Sequence, residues 1–227
     1  MRLNPLTPTQ LESILGEATL TALSGTSEVR LVVLENQEYR LLVLNGAIQS
    51  VQHKECSHAL LLPHQVPMLA VLEQLPSGAE VLELGLGGGS AMAHARHYYS
   101  TFDWLCVESS AAVISLYFDH FAPQVVLPNQ TIVMAEAQQW LKTAPQGRQF
   151  DLILCDIYAK ISQPFLELCY TRVKPGGWLV MNWLPHLNES EHADPLSTLG
   201  MFKDWAVESS KVPGYRNRIY RLQRPFV

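Results

Sequence analysis

The stretch VLELGLGGGS, residues 81–90, decides how the rest of the chain is read. Val81 to Leu84 form a short, apolar-rich strand pattern, with Gly85, Gly87, Gly88 and Gly89 directly behind it. A helix-like run, AMAHARHY, occupies residues 91–98. Strand, glycine loop and helix in this order are the layout of a nucleotide-binding turn in a doubly wound α/β fold. Glycine allows a tight turn and a close ligand approach. The helix N-terminus then offers unpaired N–H groups to an electron-rich ligand. Alone, the cluster also suits a plain strand-to-helix turn, so its surroundings carry the weight.

Downstream, strand and helix patterns alternate. Strands are expected at residues 103–107, 131–134, 151–155 and 178–183, with helices at 111–121, 136–142 and 164–170. Lys174-Pro175-Gly176-Gly177 reads as a turn. The tail gives a helix near 196–203 and two strands, 205–211 and 217–222, that suit an antiparallel hairpin. Such alternation implies a mostly parallel sheet with helices on both faces.

Upstream, Thr7-Pro8-Thr9-Gln10 carries a capping box with proline in the first turn. Strand patterns at 28–35, 38–44 and 47–52 suggest a small antiparallel meander, with Asn45-Gly46 as a hairpin turn. Its expected role is packing or a homodimer surface. Residues 54–75 show helical spacing interrupted by Pro63 and Pro67. The organisation expected is an N-terminal helix and meander, 1–53, followed by a Rossmann-like nucleoside-binding catalytic domain, 54–227.

The 227 residues are 48% hydrophobic and 16% charged, with a net charge of −5. No basic stripe points to nucleic acid. No apolar run approaches the roughly 20 residues of a membrane span, and residues 1–10 lack the apolar core of a signal peptide. A cytoplasmic protein is therefore expected. Cys56, Cys106, Cys155 and Cys169 show no CxxC spacing, and two fall inside strand patterns. Buried free thiols are expected rather than disulfides or metal ligands.

Ligands of open α/β sheets sit at the carboxyl ends of the strands. Acidic residues mark those ends here: Glu83 in the first strand, Glu108 after the second, Glu136 after the third and Asp156 after the fourth. A carboxylate at the second strand end can accept charge-assisted hydrogen bonds from both hydroxyls of a ribose.

Residues 83–89 spell E-x-G-x-G-x-G, which resembles the first motif of S-adenosylmethionine-dependent methyltransferases and of the related aminopropyltransferases. LNGAIQS, residues 44–50, resembles the L-D-G-x-x-Q segment of the spermidine synthase family, with Gln49 on its glutamine. Glu55 and Ser57 fit the next stretch, and His58 stands where that family has tyrosine. Glu136-Ala137 matches an Asp-Ala pair that contacts adenine, and Asp156 the first aspartate of a D-S-x-D-P motif. The likeness covers roughly residues 44–183, with a weaker echo at Asn217-Arg218-Ile219.

The resemblance implies a seven-stranded methyltransferase-type sheet. It implies S-adenosylmethionine or its decarboxylated form as donor, held by Gln49, Glu83, Gly85, Gly87, Gly88, Gly89, Glu108, Glu136 and Ala137. No metal is expected. Asp156 is the implied active-site acid, Tyr158 is read beside it as a second catalytic candidate, and a small molecule, expected to be an amine, is the acceptor. His58 and His64 are secondary candidates, and Asn182 and Trp183 are expected to line the pocket.

Two departures bear on the chemistry. Gly88 stands where the family's loop carries an aspartate, so no charge is expected beside the donor's amino-acid arm. Ala159 replaces the second active-site aspartate, and Lys160 follows it. Alkyl transfer from a sulfonium is an in-line displacement dominated by positioning, and Asp156 could orient an amine and accept its proton. Three readings stand: an aminopropyltransferase-like enzyme, an S-adenosylmethionine-dependent methyltransferase of unknown substrate, and a catalytically silent nucleoside-binding homologue.

Overall fold

Thr7 caps the first helix, α1 (Pro8–Glu17), through a reciprocal box. The Gln10 N–H donates to Thr7 Oγ1 at 3.3 Å, and the Thr7 N–H donates to Gln10 Oε1 at 2.8 Å. The helix buries Leu11 and Ile14 against Leu41, Val43 and Val51 of the sheet that follows. The computed structural model describes residues 3–26, 28–122, 128–157, 161–184, 196 and 200–226.

Among the described residues there are two sheets, of four and seven strands. The first is an antiparallel meander of β1 (Thr19–Gly25), β2 (Arg30–Glu35), β3 (Tyr39–Leu44) and β4 (Ala47–His53). Asn45 and Gly46 both have positive φ, 47° and 85°. This is the backbone that a two-residue hairpin turn matched to strand twist requires. The sequence pattern did not reveal β1. It is an edge strand with Leu20 60% and Leu23 64% exposed, so burial imposes no alternation on it.

The second sheet runs β10-β11-β9-β8-β5-β6-β7. Its strands are β5 (Glu80–Leu84), β6 (Asp103–Glu108), β7 (Gln130–Met134), β8 (Phe150–Cys155), β9 (Val173–Trp183), β10 (Ala206–Lys211) and β11 (Arg218–Gln223). Strands β5 to β9 pair in parallel, and the β10–β11 hairpin adds antiparallel to β9. This is the mixed α/β architecture with a small antiparallel sheet that the sequence implied.

Both faces of the parallel strands are covered. Val81, Trp104, Cys106, Leu152, Leu154 and Val180 pack with α2 (Gln65–Leu69), α3 (Ser90–Tyr98) and inward residues Leu31, Val33 and Leu42 of the meander. Leu82, Leu84, Leu105, Val107, Ile153 and Leu179 pack with α5 (Ala137–Thr143) and α6 (Gln163–Arg172). Strands buried on both faces read as continuous apolar runs, which is why they were legible. Cys106, Cys155 and Cys169 are buried free thiols.

Several boundaries differ from the sequence pattern. The helix expected over 54–75 is only α2 and a 3-10 turn, Ala70–Gln74, because the chain around Pro63 turns instead of winding. The helix expected over 111–121 splits into α4 (Ala111–Leu116) and a wider π turn, Tyr117–Phe121. The Lys174–Gly177 turn is an excursion inside β9, since Phe150 pairs with Val173 and Leu152 already pairs with Trp178. Of the helix expected near 196–203, residues 197–199 lie outside the described residues, and Gly200–Phe202 is a 3-10 turn.

Candidate active site

The carboxyl ends of β5, β6 and β8 meet the inner face of the meander in a cleft of about 340 Å³. That falls within the usual range for small-molecule sites, about 300–1,000 Å³. Its wall includes Gln49, His64, Glu83, Gly85, Gly87, Glu108, Glu136, Ala137, Asp156 and Asn182 among the residues singled out from the sequence, together with Ser50. Gly88 and Gly89 are buried behind the loop and are not part of that wall.

The glycine loop is held by its neighbours' strand ends. Gly85 donates to Val107 O at 2.9 Å, Leu86 N–H donates to Glu108 Oε2 at 3.0 Å, and Asp156 N–H donates to Leu84 O at 2.9 Å. Gly85 has φ +95°, and a Cβ there would sit 2.3 Å from the Asp156 carbonyl oxygen. Glycine is required at that point because the β8 strand end passes directly against it. Gly88 N–H donates to Ser50 Oγ at 2.7 Å, which binds β4 to the loop. Thirty-eight residues separate the pair in sequence, and no spacing in the chain signals it.

The acidic residues occupy four different environments. Glu83 is buried, 4% exposed, and accepts the Trp104 indole N–H at 2.7 Å. Burial, with the nearby Asp156 and Glu108 charges adding to it, pushes its carboxyl up to about 8 against the pull of the Trp104 and Cys106 hydrogen bonds. Glu108 accepts Leu86 N–H on one oxygen and Ser110 N–H, at 2.8 Å, on the other. Glu136 is exposed and caps α5, accepting Gln138 N–H at 2.9 Å and Gln139 N–H at 2.6 Å. Ala137, next to it, is buried.

Asp156 follows the end of β8, and its side chain is 37% exposed. Asn182 Nδ2 donates to its Oδ1 at 2.8 Å, and His64 Nε2 lies 3.5 Å from its Oδ2. Burial raises the carboxyl, but the His64 and Asn182 contacts outweigh it and hold the group below the ordinary aspartate range. Tyr158, Ala159 and Lys160 lie outside the described residues.

The two histidines separate. His58 is not in the cleft wall: its ring stacks on His97 with centroids 3.6 Å apart, and its Nε2 lies 3.4 Å from Cys56 Sγ. His64, the residue that enters the cleft, precedes α2, where the shortened helix turns it toward β8. Gln49 lines the cleft and donates to Ala47 O at 3.2 Å. Trp183 is 7% exposed and packs edge-on against Tyr220, as core rather than pocket wall. Among the described residues no group of three His, Cys, Asp or Glu side chains is placed to hold a metal ion.

No protein-family profile matches the chain. It is 25% identical over 187 residues to spermidine synthase 1 of Pisum sativum, covering 77% of this chain and 54% of that protein. It is 27% identical over 188 residues to spermine synthase of Arabidopsis thaliana, covering 78% and 50%. The chain thus spans about half the length of these curated relatives.

Among solved structures, a probable spermidine synthase from Corynebacterium glutamicum superposes with a TM-score of 0.70 at 16% identity, over 90% of this chain and 80% of that one. A spermidine synthase in complex with the transition-state analogue AdoDATO gives 0.64 at 16% identity, over 92% and 73%. Human methyltransferase-like protein 13 in complex with SAH gives 0.59 at 17% identity, over 71% and 82%. These structural likenesses show the fold. The chain thus shares the methyltransferase-type fold, and its sequence is similar to those of spermidine and spermine synthases.

Proposed function

We propose that the protein is a transferase that moves an alkyl group, aminopropyl or methyl, from an adenosyl-sulfonium donor to a small amine. The observation that carries this reading is the convergence of the glycine loop, Glu108 and Asp156 on one cleft, from the carboxyl ends of three adjacent parallel strands. Curated relatives named as spermidine and spermine synthases, and structural neighbours bound to AdoDATO or SAH, support it.

The residues present fit such a donor. The loop backbone at Gly85 and Gly87 lines the cleft, where a nucleoside can lie against it. A carboxylate has about four lone-pair sites, so Glu108 keeps acceptor capacity for ribose hydroxyls after holding Leu86 and Ser110. Glu136 and Ala137 flank the place for the base, and Gln49 closes the cleft from the meander. The donor supplies an electrophilic carbon next to a sulfonium, and the chain supplies position and a place for the acceptor's proton.

Calorimetric titration with S-adenosylmethionine and with its decarboxylated form tests donor binding. A thioether-release assay over a panel of amines tests transfer. Failure of both nucleosides to bind would overturn the reading, and binding without release would leave a nucleoside-binding homologue.

A further inference from the structure

At Asp156 the chain assembles a relay. Asn217 Nδ2 donates to Asn182 Oδ1 at 2.9 Å, and Asn182 Nδ2 donates to Asp156 Oδ1 at 2.8 Å. The other carboxylate oxygen, Oδ2, faces His64 Nε2 at 3.5 Å. His64, Asp156 and Asn182 all line the cleft, and the His64 side chain is 17% exposed. Among the described residues, the remaining titratable groups of that wall are Glu83, Glu108 and Glu136, which are engaged with Trp104, the glycine loop and the α5 backbone.

A carboxylate kept ionised by two donors is a poor proton acceptor, since the ideal base titrates near the working pH. Imidazole is the side chain suited to that role. Nε2 faces the carboxylate, so Nε2 carries the proton and Nδ1 keeps the lone pair. We infer that His64 is the catalytic base of this site and that Asp156 orients its ring and stabilises the imidazolium. The inference rests on the alkyl-transfer reading above.

In the step it describes, the acceptor's ammonium gives a proton to His64 Nδ1 and regains its lone pair. Nitrogen then bonds to the donor carbon as the carbon–sulfur bond breaks, and that bond's electron pair stays on sulfur as a neutral thioether. The imidazolium releases its proton to solvent after the product leaves.

The experiment has three arms on the full chain. With 15N-labelled histidine, the ring nitrogens of neutral His64, assigned by their loss in His64→Gln, should show the Nε2–H tautomer, and Asp156→Asn should abolish that preference. Both nucleosides should bind His64→Gln within about threefold of the parent. With n-butylamine and 1,4-diaminobutane as acceptors, His64→Gln should lower kcat by about a hundredfold or more and remove the rise of kcat with pH. Added imidazole should restore part of the rate in His64→Ala. An Nδ1–H tautomer, or a parent-like kcat and pH profile in His64→Gln, overturns the inference while leaving alkyl transfer standing. Absence of nucleoside binding to the parent overturns the transfer reading itself and the inference with it.

Discussion

Ser50 Oγ accepts the Gly88 N–H at 2.7 Å, and through this bond the N-terminal meander fixes the far side of the glycine loop. Both residues are buried. A Cβ added at Gly88 would lie 2.8 Å from Ser50 Cβ and 3.0 Å from Phe121 Cδ1. The absent aspartate at this position therefore leaves no open space beside a ligand: the space is filled by β4 and the π turn. Gly88→Asp should weaken both nucleosides together and leave the ratio of their affinities within about twofold of the parent. Ser50→Ala strands the Gly88 N–H and should cost about 1–3 kcal/mol of stability in urea unfolding. A tenfold change in the nucleoside ratio in stable Gly88→Asp would show instead that the position faces the donor.

Glu108 joins two tasks, holding Leu86 N–H and presenting a carboxylate to the cleft. Glu108→Ala should weaken nucleoside binding by about 1.5–3 kcal/mol, the range for hydrogen bonds to a charged group. Calorimetry on a variant with parent-like circular dichroism reads this directly. An unchanged dissociation constant would remove Glu108 from the donor site.

Glu83 makes stability depend on pH. Its carboxyl is raised from 4.5 to about 8 in the folded chain, so between those values the folded state binds the extra proton. Stability therefore falls as pH rises through this window, by at most about 1.4 kcal/mol per pH unit from this group. Asp156, held below 3.8, contributes in the opposite direction and only under more acidic conditions. Glu83→Gln should flatten the decline between pH 5 and pH 8 in urea unfolding, about the window the raised carboxyl sets. Parallel curves for parent and variant would place the proton elsewhere.

What the sequence disclosed follows from burial. The parallel strands announced themselves because both of their faces are covered. The glycine loop did so because Gly85 must pass against the Asp156 carbonyl. The hairpin at Asn45-Gly46 was equally legible, because its positive φ values restrict the residues that fit. Edge strand β1 left no pattern, since little of it is buried. The choice between His58 and His64 was also hidden. Both sit in one apolar run, and only the chain's turn around Pro63 sends one to the cleft and the other to His97. Long-range bonds such as Ser50–Gly88 and Trp104–Glu83 have no local signature at all.

The charge inventory of the cleft bears on which amine it takes. Four carboxyl groups line it among the described residues: Glu83, Glu108, Glu136 and Asp156. Glu83 is protonated near neutral pH because its burial outweighs its hydrogen bonds. Glu108 accepts N–H groups of Leu86 and Ser110, and Glu136 those of Gln138 and Gln139, and these bonds fix where each carboxylate points. Asp156 faces His64, and a protonated His64 would cancel it. A second ammonium gains only from a carboxylate that can reach it, and Glu108 and Glu136 are held onto the glycine loop and α5 by their N–H bonds. The expected outcome is that n-butylamine and 1,4-diaminobutane give kcat/KM values within about tenfold of each other, a difference below about 1.4 kcal/mol. Initial rates of thioether release with saturating donor supply both values. A preference for the diamine of a hundredfold or more would require a second anionic contact and would make polyamine synthesis the activity of this cleft.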